Sequence, residues 1–87
     1  MYKLYCLLHR FRLRWSYAGT FDNYEDIIST LYYSNFHTYW GSKYKYYKVT
    51  YNNSILGYFK QSPNSKHNTV EEIKLNDIQK DIMGVTA

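Results

Sequence analysis

The first part of the chain opens on a short apolar run, Leu4–Leu8, and from Leu13 alternates apolar and polar positions with the period of two expected of β structure. From Tyr2 to Phe21 strand-forming residues are dense, with no Pro, Asn or Asp and a single glycine, Gly19. Twenty residues exceed an ordinary strand, and the apolar phase shifts near His9, which predicts a hairpin over 2–20 with its tip around His9–Arg12. In its second strand Leu13, Trp15 and Tyr17 fall on one face, and Arg14, Ser16 and Ala18 on the other.

The period then changes. Tyr24, Ile27, Ile28, Leu31 and Tyr32 recur at helical spacing, and Asp22 followed by Glu25 has the spacing of a capping box, predicting a helix over 23–33. Asp22, Glu25 and Asp26 complement the helix dipole there, so these acids have a structural reason to exist. Residues 34–42 read as a loop. A second hairpin follows over 44–61, turning at Asn52-Asn53, a pair that tolerates the positive φ of a type I′ turn. Residues 61–68, with Ser62-Pro63-Asn64-Ser65, read as a linker-like loop. In the segment 69–87, Asn76 and Gln79 form a capping pattern before a short helix at about 77–83, with Leu75, Ile78 and Ile82 on one face, while 70–75 fits strand or helix.

These elements predict one α+β domain over 1–87: a small antiparallel sheet from two hairpins, packed on one main helix, with a second short C-terminal helix covering a sheet edge or face. The expected core is Leu4, Leu13, Trp15, Tyr17, Ile27, Ile28, Leu31, Val49 and one face of Ile55–Phe59. A domain of this size draws its stability from a few large side chains, which twelve Tyr, four Phe and two Trp supply. Each buried Tyr also needs a partner for its hydroxyl, so several of the twelve belong on the surface.

Charge sharpens the picture. The whole net +4 lies in residues 1–48, where Lys3, Arg10, Arg12, Arg14, Lys43, Lys45 and Lys48 face three acids, while four lysines balance four acids in 49–87. A surplus confined to one region favours an anionic or acidic partner. Cys6 is the only cysteine, which rules out an intramolecular disulfide and fits a reducing cytoplasm. The apolar run Leu4–Leu8 is too short for a membrane span, and no later run is better.

Catalytic chemistry lacks its parts. His9, His37 and His67 are scattered, and no metal-ligand spacing, phosphate loop or nucleophile elbow occurs, so the expectation is a non-enzyme without metal or cofactor. The stronger candidates are binding groups. Arg10, Arg12 and Arg14 are the only arginines and stand at alternate positions, where guanidinium geometry suits phosphate or carboxylate; the plainer reading is a charged strand edge that resists aggregation. Phe36, Tyr39 and Trp40, leading into Lys43, Lys45 and Lys48, interleave aromatics with cations as single-stranded nucleic-acid sites do, though part of this group also suits the core. No consensus of an RRM, a KH domain or a helix-turn-helix accompanies them.

Tyr, Asn, Lys, Ile and Phe make 37 of the 87 residues, whereas Ala, Gly, Pro and Arg make 10, the bias of A- and T-rich codons. In this composition and in size the chain resembles the accessory proteins of tailed bacteriophages with AT-rich genomes. That resemblance implies a protein of the host cytoplasm that inhibits or redirects a host protein, such as a nuclease or toxin of a defence system, with RNA as a further component of the complex. The alternative is a stand-alone nucleic-acid-binding module using the basic and aromatic residues.

Overall fold

A computed structural model describes residues 1–9, 14–34, 44–63 and 66–83. In chain order they form β1 (Tyr2–His9), β2 (Arg14–Phe21), α1 (Tyr24–Tyr33), β3 (Lys45–Tyr51), β4 (Ser54–Ser62), β5 (Thr69–Ile73) and α2 (Leu75–Met83). The five strands make one antiparallel sheet in the order β2-β1-β3-β4-β5, an α+β arrangement as the periodicities predict.

Both hairpins form. β1 pairs with β2, and β3 pairs with β4 through Asn52 and Asn53, whose φ values of 49° and 68° are the left-handed pair a type I′ turn requires. The tip expected at His9–Arg12 falls mostly on residues 10–13, outside the described residues. The segment 70–75 resolves largely as strand, with Val70 opposite Gln61 and Ile73 opposite Tyr58. Thr69–Ile73 thus completes a ladder with the β4 edge, whose unpaired backbone groups outweigh any helical preference of the segment.

β2 and β3 each run antiparallel to β1 and are therefore parallel to one another. Parallel strands cannot be joined by a tight turn, so the chain crosses over between them, and α1 is carried on that crossover. Its stripe lies on one sheet face: Ile27 and Leu31 are buried with Leu4, Tyr47, Val49 and Phe59, and Tyr2, Cys6, Phe21, Tyr24, Ile28 and Val70 pack around them. α2 serves the opposite face, where Ile78 is buried with Leu7 and Tyr46 against Trp15, Tyr58 and Ile73. Tyr46 and Tyr47 are sequence neighbours in β3, so alternation itself divides them between the two cores.

The expected helix caps are corrected. α1 begins after Asn23, which makes no side-chain cap bond, and Asp22 is exposed outside the helix. The Asn23 carbonyl accepts the Asp26 N–H, and the Asn23 amide reaches the Asp26 carboxylate at 3.4 Å. The first turn thus closes locally, without the Asp22–Glu25 box. α2 begins at Leu75, two residues before the expected start, with the Lys74 carbonyl accepting from Asp77 and Ile78. Asn76 therefore sits inside the first turn and does not cap it.

The core list changes for a geometric reason. The β1–β2 register shifts between Leu4, opposite Gly19, and Tyr5, opposite Tyr17, which makes Ala18 an extra residue. A similar shift near Leu56 separates Ile55 from Gly57 and Phe59. Ile55 is consequently exposed, at 54%, on the face opposite to that of Phe59, whereas Tyr17 shares the face of Trp15 as expected and is exposed rather than buried, at 58%, because it lies beyond the residues packed with α2. Trp15 and Ile28 are half-buried, each at the margin of a different core. Leu13 lies outside the described residues.

Candidate functional site

The two faces of the sheet are covered unequally. Under α1 the packing is closed by a buried polar network at the helix C-terminus. The Gln61 amide donates to the Leu31 carbonyl and, at 3.1 Å, to Ser34 Oγ, while the Tyr47 hydroxyl donates to Gln61 Oε1 at 2.9 Å. Asn68 Nδ2 donates to the carbonyls of Leu31 at 2.9 Å and Ser34 at 2.7 Å, and its backbone N–H takes the Tyr32 carbonyl. The carbonyls of Leu31 and Tyr32, which the helix end leaves without intrahelical partners, are thereby satisfied from β4 and from the segment before β5. Among the described residues no buried side-chain polar atom lacks a partner.

On the opposite face, beyond the residues packed with α2, Tyr5, Lys48 and Tyr58 are half-buried and Tyr17 is exposed. Strand pairing aligns Tyr17 with Tyr5, Tyr5 with Lys48, and Lys48 with Tyr58, a row that crosses β2, β1, β3 and β4. Directly opposite residues share a face, so this row is a single surface. Lys48 Nζ stands 4.8 Å from the ring centre of Tyr5 and 5.4 Å from that of Trp15, within cation–π range of both. Trp15 and Tyr58 lie 5.7 Å apart, and Tyr17 meets Tyr5 edge-on at 6.0 Å. The Tyr17 hydroxyl is hydrogen-bonded to Thr20, brought to the same face by the extra residue Ala18. Lys3, opposite Thr20 and Thr50, adds a second cation beside the row.

Acids on this face collect at the α2 end. There Asp81 accepts the Tyr46 hydroxyl at 2.8 Å and pairs with Lys60 at 3.5 Å, while Lys60 also lies 3.9 Å from the Tyr44 ring centre. Burial foremost, then the bond to Asp81 and its charge, hold the Tyr46 phenol well above its ordinary range. On the α1 face, burial raises the Cys6 thiol, with Lys45 and Tyr47 opposing in part. A half-buried thiol with a raised pKa is a small apolar filler and a poor nucleophile.

The residues singled out from the sequence are dispersed by this geometry. Lys45 and Lys48, three apart in one strand, point to opposite faces: Lys45 lies opposite Gln61 on the α1 side and Lys48 on the open side. Arg14 is exposed at the start of β2, adjacent to Trp15 and so on the other face from the tyrosine row. Arg10, Arg12, Phe36, Tyr39, Trp40 and Lys43 lie outside the described residues. Tyr5, Tyr17, Trp15 and Tyr58 were not singled out as a surface, because only the register of four strands assembles them. Tyr17 carried a trace of the signal in alternating with Arg14 and Ser16, but the same alternation fits a buried strand.

Among the described residues no three His, Cys, Asp or Glu side chains converge to hold a metal ion, and no helix is long and apolar enough to cross a membrane. The chain matches no family model, no curated protein and no solved structure.

Proposed function

We propose that the protein is a non-catalytic binding protein whose contact surface is the open sheet face around Tyr5, Tyr17 and Lys48. The observation that carries this is the row of Tyr17, Tyr5, Lys48 and Tyr58, aromatic and cationic, in which Tyr17 is exposed and the other three are half-buried. Tyr and Trp are the side chains that concentrate binding energy, and a rigid exposed ring loses little entropy on contact. In the phage-accessory role its composition and size suggest, the protein inhibits or redirects a factor of the host cytoplasm, such as a defence nuclease or toxin, with nucleic acid within the complex. A stand-alone nucleic-acid-binding module is the second reading, favoured by the lysines of this face.

The test is an affinity capture from bacterial lysate with wild-type protein and Tyr17→Ala in parallel, each with and without nuclease. A partner retained by the wild type and lost from a folded Tyr17→Ala supports the surface. Equal capture by both would refute it. Nuclease sensitivity separates the module from the inhibitor, since a protein target held directly survives the treatment.

A further inference from the structure

The open face has a chemistry more specific than a general contact surface. Resting on its assignment as the binding surface, we infer that it takes unpaired nucleotides, with Tyr17 as a stacking platform for a base and Lys48 and Lys3 as the partners of the phosphates. Tyr17 is exposed yet has partners that favour one ring orientation: 58% of it is accessible, its ring meets Tyr5 edge-on and its hydroxyl is hydrogen-bonded to Thr20. An exposed strand tyrosine needs neither partner to stay in water. An aromatic held in one orientation with a free side is what a base requires for stacking.

The centre of the row argues for the same ligand. Lysine is depleted from the cores of protein–protein interfaces because an ammonium is costly to desolvate there. Here Lys48 occupies the middle, flanked by Tyr5 and Trp15 on one side and opposite Tyr58 on the other. Its charge is not neutralised by Asp81, which is engaged with Tyr46 and Lys60 at the α2 end. Cations between ring faces match alternating phosphates and bases. Across three strand spacings the row from Tyr17 to Tyr58 spans about 14 Å, the scale of a few nucleotides. Single strands fit this better than a duplex, whose bases are stacked on one another and offer no free face to a tyrosine.

The experiment is fluorescence anisotropy with a labelled single-stranded RNA of about 12 nucleotides, against the same sequence as a duplex. The single strand is expected to bind in preference to the duplex. Tyr17→Ala should weaken it about 5- to 150-fold with an unchanged melting temperature, while Tyr17→Phe, which keeps the ring, stays within about twofold of wild type. Lys3→Gln combined with Lys48→Gln should flatten the slope of log affinity against log salt by about 1.4. Equal duplex binding, or wild-type affinity in Tyr17→Ala, overturns the assignment. If no RNA binds but Tyr17→Ala still loses its captured partner from lysate, the nucleotide assignment falls and the surface stands as a protein contact. If the variant loses neither, both fall.

Discussion

Gln61 carries an unusual share of the structure for one polar side chain. It is 1% exposed, accepts from Tyr47 and donates to Leu31 and Ser34, so it joins β3, β4 and the end of α1. An apolar replacement would fill the space but leave the Tyr47 hydroxyl without that acceptor and weaken the seal on the helix end. Gln61→Leu is therefore expected to destabilise the protein by about 1–3 kcal/mol, a loss readable as a shifted urea midpoint with unchanged slope. A midpoint equal to wild type would show that water replaces the amide at no cost. In the sequence Gln61 was merely the last residue of a predicted hairpin. Nothing in the alternation of a strand indicates that a polar side chain on its inner face will meet a helix terminus.

Among the elements, α1 separates what local pattern determines from what packing supplies. Its stripe was legible because Ile27 and Leu31 stand four apart in a polar surrounding, and both are buried as expected. Its cap was not, because Asp22 stops outside the first turn and makes no cap bond. Asp22→Ala should accordingly change stability by no more than about 0.5 kcal/mol, whereas Ile27→Ala, at a fully buried position, should cost about 2–5 kcal/mol. Ile28→Ala should fall below Ile27→Ala, since Ile28 is only partly covered. Thermal unfolding of the three variants tests the ranking, and a large loss in Asp22→Ala would restore the capping box. The second hairpin was more transparent than the helix start: Asn52-Asn53 dictates a turn whatever lies around it.

For the molecule as a whole, an alkaline loss of stability is expected from the place where α2 meets the sheet. Tyr46 is buried on that face and bonded to Asp81, and both factors favour the neutral phenol in the folded chain. A phenol raised above its ordinary value of 10.0 contributes fully below that pH, because both folded and unfolded chains then carry the proton. Above it the unfolded chain releases the proton first, and the contribution is lost as pH climbs toward the folded value. Unfolding free energy measured in urea should therefore fall as pH passes about 10, and Tyr46→Phe should remove part of that fall. An identical pH profile in Tyr46→Phe would place the alkaline sensitivity elsewhere, Tyr24, raised by burial and by Glu72, being a further candidate.

Taken alone, the amino-acid order determined the features that depend on neighbours in the chain: two hairpins, the main helix and its buried stripe, the Asn-Asn turn and a C-terminal helix. Each follows from periodicity or from backbone preference within a few residues. The tertiary structure decided which strands became neighbours, the fifth strand and the side of the sheet on which each aromatic ended. The irregularity near Leu56 turned Ile55 to the face opposite that of Phe59, since a shift of one position exchanges the faces of a strand, and the extra residue at Ala18 brought Thr20 to the face of Tyr17. The candidate surface depends on that choice. Tyr5, Tyr17, Lys48 and Tyr58 are 53 positions apart at their extremes, and only the pairing of four strands places them in one row.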